Sequence, residues 1–123
     1  MARILIIEDD ELVRSMLKTM LEREGYEVLE APDGKEGIKV SNNSPADLVI
    51  TDIIMPEKEG IETIIELKQI SPKMKIIAIS GGGRIGAETY LNIAKKFGAA
   101  FTFTKPIDRK ELLNAIQEVL KQP

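Results

Sequence analysis

Residues 47–56 read DLVITDIIMP, and this stretch decides the fold. Leu48, Val49 and Ile50 make an unbroken apolar run, the acid Asp52 follows, and Met55-Pro56 turns the chain away. A run of this length bounded by turn residues reads as a strand covered on both faces. Covered strands of that kind belong to open α/β sheets, which gather their chemistry at the C-terminal strand ends. Asp52 is therefore the first candidate for a reactive carboxylate. Taken alone, an Asp before a turn is more often a cap or turn acceptor, so its neighbours must decide.

Working outward, the same alternation continues in both directions. Residues 4–7 form a first buried strand ending in Glu8, Asp9, Asp10 and Glu11, after which Leu12, Val13, Met16, Leu17, Met20 and Leu21 recur at helical spacing up to Gly25. Residues 26–31 give a second strand. Asp33 with Glu36 opens a short helix through about Ser41 as a capping box, and Gly37 weakens it by ~1 kcal/mol relative to Ala. Asn42-Asn43-Ser44-Pro45 forms the loop before the central strand.

Beyond Pro56, Ile61, Ile64, Ile65 and Ile70 mark a helix ended by Pro72. Residues 75–79 are a fourth strand leading into Ser80. A glycine-rich connection over residues 81–86 precedes a helix with Ala87, Tyr90, Leu91, Ala94 and Phe97 on its apolar stripe, closed by Gly98. Residues 99–103 are a fifth strand, and Asp108 with Glu111 opens a last helix through Leu120. Five strands alternating with five helices, joined by right-handed crossovers, give one doubly wound parallel sheet.

Composition removes several classes of function. The 123 residues include no Cys and no His, which excludes disulfides, zinc sites on those ligands and histidine-based triads. Any metal must be held by oxygen. Seventeen basic against twenty acidic residues give a formal charge of −3, which offers no bulk attraction to nucleic acid or an anionic membrane. The apolar runs are too short to span a bilayer, and the start lacks a signal-peptide core; a soluble cytoplasmic protein is expected.

The polar residues converge on one edge of this scaffold. Glu8 and Asp9 follow strand one, Asp52 ends strand three, Ser80 ends strand four and Lys105 follows strand five. Neighbouring strands lie ~4.8 Å apart, so these ends can share one shallow pocket. Three carboxylates there repel by up to ~4 kcal/mol per close pair at an effective dielectric of about 20. Lys105 supplies one compensating charge and Mg²⁺, which accepts carboxylate, water and phosphate oxygen, supplies more. Beside them Asp52 is set to attack a phosphoryl group and become an aspartyl phosphate, with the Ser80 hydroxyl available to hydrogen-bond it.

With those residues in view, the chain resembles the CheY-like receiver domain of two-component response regulators. The likeness rests on ILIIEDDE at residues 4–11, DLVITDIIMPEKEG at 47–60, IIAIS at 76–80 and TKPI at 104–107. It implies a flavodoxin-like five-stranded sheet of order 2-1-3-4-5 with five helices. It also implies Asp52 as phosphoacceptor and metal ligand, Asp9 as direct ligand of Mg²⁺ (or Mn²⁺), Glu8 acting through water, and Ile54 contributing its backbone carbonyl. Ser80 matches the switch hydroxyl. Lys105 matches the lysine that pairs with the phosphoryl group, before a proline whose peptide bond is often cis.

The donor implied is a phosphohistidine on a sensor histidine kinase or phosphotransfer protein. By the same resemblance the protein is no enzyme of external substrates but a phosphoacceptor that assists its own phosphorylation and dephosphorylation. Its downstream protein partner would meet the fourth helix, fifth strand and fifth helix, about residues 90–117, and a phosphorylation-dependent homodimer through that face is compatible with the sequence. One receiver domain over residues 1–123 is expected, with no output domain in this stretch, either as a free-standing receiver or as an excised part of a larger regulator. Thr102 stands where the family usually has Tyr or Phe, and alternation turns Phe101 and Phe103 to the other face.

Two other classes stay in competition. A dehalogenase-like phosphohydrolase also uses a strand-end Asp, but it needs a second acid two positions later, where Ile54 stands. A flavin or nucleotide binder would need N–H groups facing phosphate at the first turn, where Glu8, Asp9, Asp10 and Glu11 would repel it.

Overall fold

The computed structural model describes residues 2–53, 60–81 and 87–122. Strands and helices alternate as β1 (Arg3–Ile7), α1 (Glu11–Arg23), β2 (Glu27–Ala31), α2 (Gly34–Asn43), β3 (Leu48–Asp52), α3 (Gly60–Ile70), β4 (Ile76–Ser80), α4 (Ala87–Lys96), β5 (Phe101–Thr104) and α5 (Arg109–Lys121). One parallel sheet has the order β2-β1-β3-β4-β5, the expected doubly wound topology.

The capping signals act as the sequence implies. Asp10 accepts from the N–H groups of Leu12 and Val13, Asp33 from that of Glu36, and Asp108 from that of Glu111. Each satisfies donors that a helix start leaves without partners. The second helix runs two residues further than expected, to Asn43, and its last turn closes with the Ser44 N–H on the Val40 carbonyl. The fifth strand starts two residues later than expected. Ala99 still bonds back to Ala94 of α4, so pairing with β4 begins as the Ala100 N–H meets the Ile76 carbonyl.

Strand alternation divides the interior in two. Leu5 and Ile7 of β1 pack with Ile38, Ile64, Leu67 and Ala94 under α2, α3 and α4. Ile4 and Ile6 pack with Leu17, Leu21, Leu112 and Ile116 under α1 and α5. Phe101 and Phe103 join the second group, as alternation requires, and Thr102 between them is half-buried.

Two residues of the apolar stripe in α1 do not enter this interior. Leu12 is 80% exposed and Met16 58%, although both fall at the helical spacing of core positions, whereas Met20 is partly buried. The stripe is wider than the sheet can cover. Leu12 and Met16 instead line an open groove of about 440 Å³ with Ile107, flanked by Arg23 and Arg109.

Candidate functional site

The site is built by strand register. Ile7 pairs with Thr51, Asp52 with Ile79, and Ser80 with Thr104. Glu8 and Asp52 therefore leave the sheet at one level, Ser80 follows one step further along the rim, and Lys105 one step beyond Ser80.

Glu8 and Ser80 are fully buried, Asp52 is nearly so, and Asp9 is exposed. One carboxylate oxygen from each of Glu8, Asp9 and Asp52 can be chosen so that all three lie within 4.8 Å of one another. Lys105 reaches into this group from the end of β5. Its Nζ lies 2.6 Å from Glu8 Oε1 and 3.1 Å from Asp52 Oδ2. Its backbone is held against the end of β4, because the Lys105 N–H donates to the Ser80 carbonyl at 2.8 Å; the Lys105-Pro106 peptide is cis.

Electrostatics follow from this crowding. Burial pushes the Glu8 carboxyl up to about 7, and the neighbouring Asp52 charge adds to the rise, while Lys105 and the Asp10 N–H pull it down. Burial alone would lower Lys105, but Glu8 and Asp52 outweigh it and hold the ammonium above its ordinary value. The Ser80 Oγ is buried and has no hydrogen-bond partner among the described residues. A buried hydroxyl left so costs free energy, and such groups mark places where another molecule bonds.

The expected residues Glu8, Asp9, Asp52, Ser80 and Lys105 thus meet at one rim. The carbonyl assigned to Ile54, the Met55-Pro56 turn and residues 82–86 of the glycine-rich connection lie outside the described residues. The donor set fits a hard divalent cation: three carboxylates, no nitrogen or sulfur ligand, and room for water on the exposed Asp9 side.

Sequence reasoning missed three contributors. The Asp10 N–H donates to Glu8 Oε2 at 3.0 Å, the Arg14 Nη1 donates to the Glu8 carbonyl at 2.8 Å, and Glu30 of β2 lies 3.4 Å from Arg14 Nε. A basic residue one turn into an amphipathic helix carries no sequence mark that separates it from a solvated face.

The family model of the response regulator receiver domain matches residues 4–117. The chain belongs to that family. It is 36% identical to the chemotaxis protein CheY of Thermotoga maritima, over 97% of this chain and 98% of that one. It is 34% identical to the transcriptional regulatory protein GlrR of Escherichia coli over 98% of this chain, and spans 27% of that relative's length. A CheY-like response regulator receiver domain from Methanospirillum hungatei superposes with a TM-score of 0.88 at 32% identity, covering 98% of this chain and 94% of the other. Receiver domains are signalling domains of two-component systems, which places this chain in phosphorelay signal transduction. Among the described residues, no helix is long and apolar enough to cross a membrane.

Proposed function

We propose that this chain is a phosphorylation-controlled switch of a two-component system. Asp52 takes a phosphoryl group from a phosphohistidine on a sensor kinase or phosphotransfer protein, assisted by Mg²⁺ (or Mn²⁺) on Glu8, Asp9 and Asp52. The observation that carries this reading is the Lys105 ammonium seated between Glu8 and Asp52. It holds one Asp52 oxygen in place and meets the negative charge of an incoming phosphoryl oxygen.

In the transfer, an Asp52 carboxylate oxygen forms a bond to phosphorus as the donor's P–N bond breaks, and the imidazole leaves with that electron pair. The bound cation would supply charge neutralisation on the transferring oxygens. Ser80 donates its buried hydroxyl to the new phosphoryl group. Reversal by water would use the same groups, so the domain assists both its phosphorylation and its dephosphorylation without acting on an external substrate.

The added group carries roughly −1.5 to −2 charge if it ionises like other protein phosphates. A shift from 1:99 to 99:1 between two conformations takes ~5.5 kcal/mol of differential interaction. The surface that changes is proposed to be α4, β5 and α5, where a downstream protein or a second copy would bind. The donor is proposed to dock on the exposed Leu12 and Met16 beside the Glu8–Asp10 turn. The domain is read as a single cytoplasmic receiver unit over residues 1–123 that does not itself bind nucleic acid. A phosphohydrolase lacks support, because position 54 offers no acid.

Acetyl phosphate with Mg²⁺ should add one phosphoryl group to the wild type and none to Asp52→Ala, read by intact mass. Modification mapped to another residue would remove Asp52 from its role, and steady turnover of a free phosphomonoester would favour the hydrolase.

A further inference from the structure

Glu8 carries half of the buried negative charge at the rim, yet its backbone is held from elsewhere. Its N–H donates to the Ala31 carbonyl at 3.1 Å, extending the pairing of β1 with β2 by one residue. Its carbonyl accepts from Arg14 Nη1 at 2.8 Å. Arg14 is in turn anchored on β2, with Nε 3.4 Å from Glu30 Oε1, and its side chain is only 18% exposed. Both polar ends of Glu8's main chain are thus tied to the edge strand β2, one directly and one through a guanidinium.

We propose that Arg14 is a positioning residue for the metal-binding acids. The peptide that Arg14 holds joins Glu8 to Asp9, so its orientation fixes where both carboxylates point. A buried carbonyl needs a donor. If that donor is removed, the peptide rotates toward water and the two acids part. Arginine suits the task because its planar group presents several donors in fixed directions, one toward the carbonyl and another toward the carboxylate, whereas a lysine ammonium is a single point charge on a flexible stem.

The inference rests on the metal reading above, and the sign of the effect tests it. Arg14 is a cation close to a cation site, so its charge alone opposes metal binding. Removing that charge should tighten binding if electrostatics is all that Arg14 contributes. Removing a positioning contact should loosen it, and partners behind metal ligands typically account for 10–100-fold in affinity.

The experiment is calorimetric titration of the full chain with Mg²⁺, repeated with Mn²⁺ by electron paramagnetic resonance. Five proteins are compared: wild type, Arg14→Met, Arg14→Lys, Glu30→Gln and Lys18→Met. Lys18 Nζ lies 3.3 Å from Glu30 Oε2 and serves as the control for general α1–β2 electrostatics. Arg14→Met is expected to weaken binding at least 10-fold, Arg14→Lys several-fold although the charge is kept, and Glu30→Gln by less. Lys18→Met is expected to stay within twofold of wild type.

Equal or tighter binding in both Arg14 variants overturns the proposal, as does an equal loss in Lys18→Met. Should Arg14→Met fail to fold, Arg14→Lys decides alone. Wild type that binds neither ion overturns the metal reading and this proposal with it; wild-type binding unmoved by Arg14 variants overturns this proposal only.

Discussion

Gly37 of α2 lies directly against Ile7 of β1: a Cβ at position 37 would stand 2.4 Å from Ile7 Cδ1 and 2.8 Å from Cγ1. Glycine there lets the helix approach the strand that leads into Glu8. Ile7 is fully buried and has nowhere to retreat. Gly37→Ala gains ~1 kcal/mol of helix propensity but overpacks the core by roughly 1–3 kcal/mol. A net loss of about 1 kcal/mol is expected in urea unfolding, partly recovered by adding Ile7→Val. A variant as stable as wild type would show that the contact is slack.

Lys105→Ala leaves Glu8 and Asp52 facing each other without their ammonium. Breaking a fully buried ion pair costs ~3–5 kcal/mol. The Lys105 side chain is 21% exposed, so about 2 kcal/mol is expected in chelator, and excess Mg²⁺ should return part of it by linkage. Phosphorylation by acetyl phosphate should persist while the spectral shift that accompanies it in wild type is lost. A mutant showing the full wild-type shift would remove Lys105 from the switch.

Acid should act on the metal-free protein in an unusual direction. Burial holds the Glu8 carboxyl up to about 7, above its ordinary 4.5. A raised folded value means that this group's contribution to stability is fully present below 4.5 and is lost as pH rises through about 7. Denaturation of wild type and Glu8→Gln across that window should show wild-type stability falling relative to the variant as pH rises. A constant difference would mean that Glu8 ionises as in the unfolded chain.

Ser80→Ala removes a buried hydroxyl that has no hydrogen-bond partner among the described residues. Its stability should stay within about 1 kcal/mol of wild type, on the favourable side, because an unmet polar group is removed. The conformational response to phosphorylation should weaken, as seen in amide spectra with and without phosphodonor. A large stability loss would show that the hydroxyl already has a partner.

Leu12→Ser and Met16→Ser should change stability by less than about 0.5 kcal/mol, since both side chains are exposed. Transfer from a phosphohistidine protein should slow while labelling by acetyl phosphate stays unchanged. Equal slowing with both donors would place the defect in the site instead.

Strand-end chemistry was legible because it depends on period and position alone. An apolar run, an acid at its end and a turn suffice to place Asp52, and the same logic places Glu8, Ser80 and Lys105 on one rim. What stayed hidden depends on distances between elements. Gly37 reads as a weak helix position until Ile7 is seen beneath it. Leu12 and Met16 have the helical spacing of core residues, and only the width of the sheet shows that they are left outside. Arg14 and Glu30 look like ordinary surface charges because their pairing crosses from a helix to an edge strand.

The sheet acts as a partition wall. Side chains of β1, β3 and β4 feed two interiors on opposite faces of the sheet, so truncations on opposite faces should combine with little interaction. Asp52, at the lip of that wall, belongs to neither compartment. An event there can address the helices of both faces at once, which no residue deeper in either half can do.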